Sequence, residues 1–528
     1  MDYADDKHNL PAIGSSGWRK KAAIPSWPPD TYQSAACAAF HMQRDPDSWR
    51  GYEWTALSVT TVGALLASIQ GSALLIALPD IMAQLHAGFM TIMWVILGFM
   101  LITTALVPVV GRLADMFGRK RLYNAGFAIF TLGSLLSGLS QPQFQGWDMV
   151  FYRMIQGVGG ALLFTNSAAI VTDAFRKGRV GLGLGINTIA FSAGFLLGPV
   201  IGGVLTAIDW RLVFLINVPL GIAGTVWGIL RLREPVSLPA RQRFDWPGSI
   251  TFSVGLGTLL LAASLVAFPL IDVSYVYLLF ALGLAGLAAF YVVERRAEEP
   301  MMDFRLFQEK LFAYACAVNA INGLARGAVL FVLIFFLQGP YGLDPLWAGI
   351  MMAPFGAAFM LVGPVSGYLS DKYGSRGLAT AGLLVSGIGL LGLATVESST
   401  PYWLLALYQA LMGGGSGLFA SPNTNAIMSS VAPEKRGIAA GVNSMLMNTG
   451  QMLSIAIVFP LVLSRIPEDV MFHVFLYGGG MSGASLDLFQ SGMHEAFLAS
   501  FAVTLIAALI SALRPAHSSF LEAGRAAV

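Results

Sequence analysis

Apolar and polar residues along this chain change places on a scale of about twenty residues, not with the short rhythm of a soluble strand or surface helix. A polar stretch runs to residue 54. From there long apolar runs are separated by short turns rich in glycine, proline and charge. Fourteen runs are predicted as helices: 55–79, 90–110, 122–140, 149–171, 180–206, 212–231, 247–268, 273–293, 312–338, 346–369, 377–396, 401–428, 437–463 and 494–513. Each can cross a hydrocarbon core of about 30 Å, some with tilt. The pattern predicts an all-α polytopic membrane protein with the lipid bilayer as its surroundings.

The charges orient it. With residue 1 inside, 27 of the 31 Lys and Arg residues fall in inner segments, and outer loops hold only Arg211 and Arg465. That asymmetry is what fixes the topology of helical membrane proteins, and an even number of spans places both termini in the cytosol. Arg153 and Arg326 are left inside spans. Composition agrees: the chain is 56% hydrophobic and 11% charged, with a mean hydropathy of +0.68. A net charge of +2 gives no electrostatic case for a nucleic-acid partner. Cys37 lies in the tail and Cys316 in a span, so no disulfide is expected. No metal-ligand cluster, Walker loop or nucleotide fingerprint occurs, so no metal, no cofactor and no enzymatic activity is expected. The first apolar run begins near Thr55, too late for a cleavable signal peptide. Trp49, Tyr52 and Trp54 suit an interfacial belt.

One inner turn is more specific than a turn needs to be. Gly111-Arg-Leu-Ala-Asp115-Met-Phe-Gly118-Arg119-Lys120-Arg121-Leu122 carries two glycines seven apart with a carboxylate between them, and a looser copy follows at Gly367-Tyr-Leu-Ser-Asp371-Lys-Tyr-Gly374-Ser-Arg376. The glycines allow a tight turn and close backbone approach, and Asp115 can meet a helix N-terminus or an arginine. A positive-inside loop explains the basic residues but not the Gly–Asp–Gly spacing. Two copies imply a duplicated architecture.

These strings resemble the signature of the major facilitator superfamily, secondary transporters built from two six-helix halves. Further strings resemble its fourteen-helix drug:proton antiporter branch. Phe151-Tyr-Arg153-Met-Ile-Gln156-Gly157 is similar to the arginine-glutamine-glycine motif of the fourth helix. Gly194-Phe-Leu-Leu-Gly198-Pro199-Val-Ile-Gly202-Gly203 is similar to the motif that marks exporters on the fifth. Asp209-Trp210-Arg211, Ser421-Pro422-Asn423-Thr424-Asn425 and Gly437–Gln451 also resemble that branch. The resemblance implies latches at the inner side built from Gly111, Asp115, Gly118 and Arg119 and from Asp371, Gly374 and Arg376. It implies a gating helix at Gly194, Gly198, Pro199, Gly202 and Gly203.

The chain departs from that branch in the first span. Where many members place an aspartate, this chain has Gln70, which cannot carry a proton. No Asp or Glu falls near the middle of any predicted span. The titratable candidates are Asp80 and Asp148 at the outer mouth, or a carboxylate on the substrate. Arg326 lies mid-span, and Asn319, Asn322 and Arg326 share one helix face at spacings of three and four. An arginine within the bilayer is costly unless paired or wet. Arg153 can snorkel to the outer interface, and Arg326 can be neutralised by helix-end carbonyls. The functional alternative makes both of them cavity cations that favour anionic or zwitterionic amphiphiles. Asn423, Asn425, Asn443 and Asn448 are expected mainly as interhelix hydrogen-bonding groups.

The resulting division is a cytoplasmic tail 1–54, a six-helix bundle 55–231, a linker with an inserted helix pair 232–311, a second bundle 312–513 and a cytoplasmic tail 514–528. The outer loop 464–493 is expected to hold a small hairpin. The reading is a plasma-membrane transporter that exports small amphiphilic, drug-like compounds by alternating access and proton antiport. A facilitator or importer of an organic anion, or a non-transporting membrane sensor, stands as the alternative.

Overall fold

The computed structural model describes residues 51–175, 180–233, 245–265, 272–297, 300, 302, 304–431, 436–463 and 483–515. Most of the N-terminal tail, with Cys37, Trp49 and its basic cluster, lies outside the described residues. So does the outer segment 464–482, which includes most of the expected hairpin.

Every regular element among the described residues is helical. In chain order these are α1 (Tyr52–Gln84), α2 (Phe89–Phe117), α3 (Arg119–Gly138), α4 (Trp147–Ala174), α5 (Val180–Thr206), the single turn α6 (Leu212–Leu215), α7 (Asn217–Arg231), α8 (Trp246–Leu265) and α9 (Val273–Arg296). They continue with α10 (Lys310–Arg326), α11 (Val329–Gln338), α12 (Pro345–Met351), α13 (Ala353–Tyr373), α14 (Ser375–Leu393), α15 (Tyr402–Ser429), α16 (Arg436–Leu463) and α17 (Ala484–Leu513). Ten stretches among the described residues are long and apolar enough to cross a membrane. Their outer faces carry large apolar side chains such as Leu230, Leu361 and Leu513, each more than two-thirds exposed. Such a surface is stable against lipid and not against water.

Three expected spans differ from single helices. The run 312–338 breaks at Gly327-Ala328, between α10 and α11. Helix α16 comes so close there that a Cβ on Gly327 would lie 2.7 Å from the Gln451 Cα. The backbone N–H of Ala328 donates to Ser454 Oγ at 3.0 Å instead of continuing an unbroken ladder. The run 346–369 changes helix at Met352, and 212–231 at Ile216. The last helix starts at Ala484 rather than near 494. Leu486–Phe489 therefore forms its first turns, with Phe489 fully buried, and is not an arm of a hairpin.

Helix pairing repeats along the chain. In the first part α1 packs on α5, α3 on α4, α2 on α4 and α3 on α7. In the second part α10 packs on α16, α14 on α15, α13 on α15 and α14 on α17. The two sets correspond helix for helix. Helices α8 and α9 pack on each other, and α8 also touches α2 and α16.

Candidate functional site

The two Gly–Asp–Gly strings sit where consecutive helices turn. Their first glycines, Gly111 and Gly367, lie inside α2 and α13 and make no turn. The second glycines do all the turning. Gly118 has φ 98° and is both the last residue of α2's cap and the first of α3's; Gly374 has φ 82° and joins α13 to α14 in the same way. A side chain is strained at such angles, so a one-residue connection requires glycine. Arg119, the next residue, reaches the last turn of α4 and pairs with Asp173 at 2.6 Å. No motif in the sequence marks Asp173, and 54 residues separate the partners. The side chains of Asp115 and Asp371 lie outside what the structure describes, and Arg376 is exposed.

The glycine stripe of α5 divides between two neighbours. Gly194, Gly198 and Gly202, each four apart, face Ser68, Ser72 and Ala73 of α1 within the same bundle. Leu196, Pro199 and Gly203 face the second bundle. A Cβ on Gly203 would lie 2.6 Å from the Pro345 carbonyl, a Cβ on Gly349 of α12 would collide with the Pro199 carbonyl, and Gly356 of α13 packs on Leu196. Nearby, Gln338 Nε2 of α11 donates to the Ile76 carbonyl of α1 at 2.9 Å. The bundles thus meet backbone to backbone at the end that carries the α5–α6 turn. At the other end Gly374, Gly377 and Gly441 face open space.

The two intramembrane arginines have different surroundings. Arg153 of α4 is 2% exposed. Its Nε donates to the Val95 carbonyl of α2 at 3.2 Å and its Nη1 to Gln156 Oε1, while the Phe99 ring lies 4.3 Å away. Gln156 in turn donates to Ser134 Oγ of α3 at 2.5 Å. All of these groups belong to the first bundle, and none is shared with Arg326. Arg326 closes α10 at the helix break, half-buried, with the Phe355 ring 5.6 Å away. No hydrogen bond or ion pair engages its guanidinium among the described residues. A cation there is favoured by the negative end of α10. Phe355 also lines a narrow crevice between the bundles with Ser72, Leu196, Pro199, Leu330 and Met352.

The remaining candidates are placed as follows. Gln70 is buried and accepts from Asn217 Nδ2 of α7, and its own Nε2 has no partner among the described residues. Asn319 donates to Asn443 Oδ1 of α16 at 2.7 Å, and Asn322 is buried beside it on α10. Asp148 is spent on its own loop, accepting from the backbone N–H groups of Gln141 at 3.0 Å and Met149 at 2.8 Å. Asp80, near the end of α1, is part-buried and forms no hydrogen bond among the described residues. Trp210 is fully buried; its indole donates to Gln84 Oε1 at 3.1 Å and Arg211 stacks 4.5 Å over its ring.

Comparison with known proteins agrees with this geometry. The sequence profile of the Major Facilitator Superfamily matches residues 60–293 and 315–525. The chain is 32% identical over 386 residues to the riboflavin transporter RibZ of Clostridioides difficile, covering 73% of this chain and 83% of that one. It is 29% identical over 450 residues to multidrug resistance protein 3 of Bacillus subtilis, covering 82% and 86%. It is 32% identical over 405 residues to multidrug resistance protein Stp of Mycobacterium tuberculosis, covering 76% and 74%. Among solved structures, an inward-facing, unoccupied bacterial homolog of the human lysosomal transporter Spinster superposes with a TM-score of 0.63 at 16% identity, over 89% of this chain and 97% of that one. That likeness concerns the fold alone.

Proposed function

We propose, from the premise that the chain belongs to the Major Facilitator Superfamily, that it exports small amphiphilic compounds across the plasma membrane by alternating access driven by protons. The chain is a multi-pass membrane transporter of drug type; direction, coupling and site roles are the proposal. The observation that supports it best is the seam of α5 against α12 and α13, with Pro199 against Gly349 and Gly203 against Pro345, which seals the end that carries the α5–α6 turn. A seam of glycine against backbone carbonyl can open and reclose without repacking large side chains. With the turns at Gly118 and Gly374 on the cytosolic side, this is the state that admits a substrate from the cytosol.

In this reading fourteen spans form two six-helix bundles, residues 232–311 insert the pair α8–α9, and both termini are cytosolic. Asp115 and Asp371 with Arg119 are the inner latch that holds the outward-open state, and in the present state Arg119 of the Gly118 turn is held by Asp173 within its own bundle. Arg326 is the cavity cation, because its guanidinium is half-buried with no acid beside it among the described residues, while Arg153 is held by its own bundle. Gln70 cannot exchange a proton, and Asp148 is occupied by its loop. Asp80 is the coupling carboxylate that this leaves.

A second reading has one observation in its favour. The free cation at Arg326 suits an organic anion, and a relative at 32% identity carries the name riboflavin transporter, so a facilitator of such a compound is the alternative. The test uses purified protein in liposomes with an imposed pH gradient and an internal pH dye, given cationic, neutral and anionic amphiphiles in turn. Export coupled to protons predicts a pH change triggered by anionic or zwitterionic compounds and abolished by Asp80→Asn. Labelled substrate moving without a pH change makes the protein a facilitator.

A further inference from the structure

We propose that a recess in the first bundle, between α1, α4 and α5, is a binding subsite for a flat, uncharged aromatic group that carries a ring N–H donor. The inference rests on the export reading only in placing the recess on a substrate's route; its chemistry stands on the residues that line it.

The recess encloses about 210 Å³, room for two or three fused rings. Gly63 of α1, Leu163, Phe164 and Ser167 of α4, and Asn187 and Phe191 of α5 line it, and no lining residue is charged. Ser167 lies seven residues before the end of α4 and Asn187 seven after the start of α5. Both therefore lie toward the end of the bundle that carries the α2–α3 turn. Phe164 and Phe191 meet edge to face, centroids 6.0 Å apart at 65°. An aromatic guest gains from offset or edge contact with such a pair.

The polar side of the recess selects further. Asn187 Nδ2 donates to Ser167 Oγ at 2.7 Å, which fixes the amide. Its Oδ1 is buried and accepts nothing among the described residues. Buried acceptors are rarely left unsatisfied, and a guest N–H supplies the missing donor. A guest carboxylate would be repelled by that oxygen. An ammonium would find one acceptor for three protons and no counter-charge.

The test compares carbazole with N-methylcarbazole, which share shape and differ in the donor. Full-length protein in lipid nanodiscs is dialysed to equilibrium against each, with empty nanodiscs as the blank. The wild type should bind carbazole about tenfold more tightly, the size of one buried hydrogen bond. Asn187→Leu should bring the ratio to about one without weakening N-methylcarbazole. Phe191→Ala, at an exposed position, should weaken both probes about equally and keep the ratio. A wild-type ratio near one, a ratio that survives Asn187→Leu, or no binding above the blank would overturn the subsite. The liposome assay fails separately: absent proton-coupled export with the probe ratio intact retires export and keeps the subsite.

Discussion

Arg514, one residue beyond the end of α17, reaches across to α15 and donates from Nη1 to the side-chain oxygen of Asn423 at 3.1 Å. Its Nη2 donates to the Ser375 carbonyl at the start of α14, and the whole residue is buried. Asn423 turns its own Nδ2 to the Ala315 carbonyl of α10 at 3.1 Å. One arginine, expected in a cytoplasmic tail, thus ties four helices of the second bundle together at one end. In the first bundle the Arg119–Asp173 ion pair joins two helices, α3 and α4, and is partly exposed.

Replacing Arg514 should therefore destabilise the second bundle. Arg514→Ala leaves the buried Asn423 amide oxygen without its donor, at roughly 1–3 kcal/mol, and removes a second donor from the Ser375 carbonyl, which the first turn of α14 still engages. Thermal unfolding of the purified protein should show the loss, and Arg514→Lys should recover only part of it because a lysine cannot fork between two acceptors. Burial, and then the nearby Arg376, push the Arg514 guanidinium down to about 10. The folded state therefore releases this proton more readily than the unfolded chain, so its contribution to stability rises with pH only above about 10. Between pH 6 and 9 the difference between wild type and Arg514→Ala should stay flat. A difference that changes across that window would mean another group titrates against Arg514.

The Arg119–Asp173 pair is about a quarter exposed on each side, so it should matter more for transport than for stability. Partly solvated pairs of this kind contribute about 0–1 kcal/mol. Arg119→Gln and Asp173→Asn should each leave the unfolding midpoint nearly unchanged while slowing transport. The double variant should be no slower than the worse single one. Additive losses in that double-mutant cycle would show that the two residues act apart.

Gly349→Ala tests the seam. Its new methyl would strike the Pro199 carbonyl, so the end bearing the α5–α6 turn could not close as it does here. A cysteine introduced at Leu75, in the crevice, should label faster from that side in the variant, and transport should fall about tenfold or more, on the order of 1.4 kcal/mol or above. Unchanged labelling would place the gate elsewhere.

Gln70 and Asn217 form a buried amide pair between α1 and α7. Gln70→Leu leaves Asn217 Nδ2 with its long 3.4 Å bond to the Val213 carbonyl and should cost about 1 kcal/mol. Adding Asn217→Leu should return much of it, since two apolar groups of similar shape need no partner. Proton coupling in the double variant should persist if Asp80 carries the proton; its loss with folding intact would show that coupling also depends on how α1 packs against α7.

The sequence by itself determined what depends on local chemistry and on the bilayer. Runs of about twenty apolar residues must be helical, because lipid offers no partner for a backbone amide. A glycine at 118 or 374 had to mark a turn, since few other residues tolerate its φ. Arg153 and Arg326 were visible as costly charges for the same reason. The tertiary structure alone decided which of them is satisfied. Arg153 meets a carbonyl 58 residues away on α2, and Arg326 meets the face of Phe355 on a helix of its own bundle, with no hydrogen bond or ion pair among the described residues. Asp173, Asn217 and Arg514 acquired roles in the same way, through partners 54, 147 and 91 residues distant. The break at Gly327 follows from the closeness of α16, not from any signal within α10. Hydrophobic pattern fixes which segments enter the membrane; side-chain partnership waits on which helices then touch, and that is settled by packing between segments far apart in the chain.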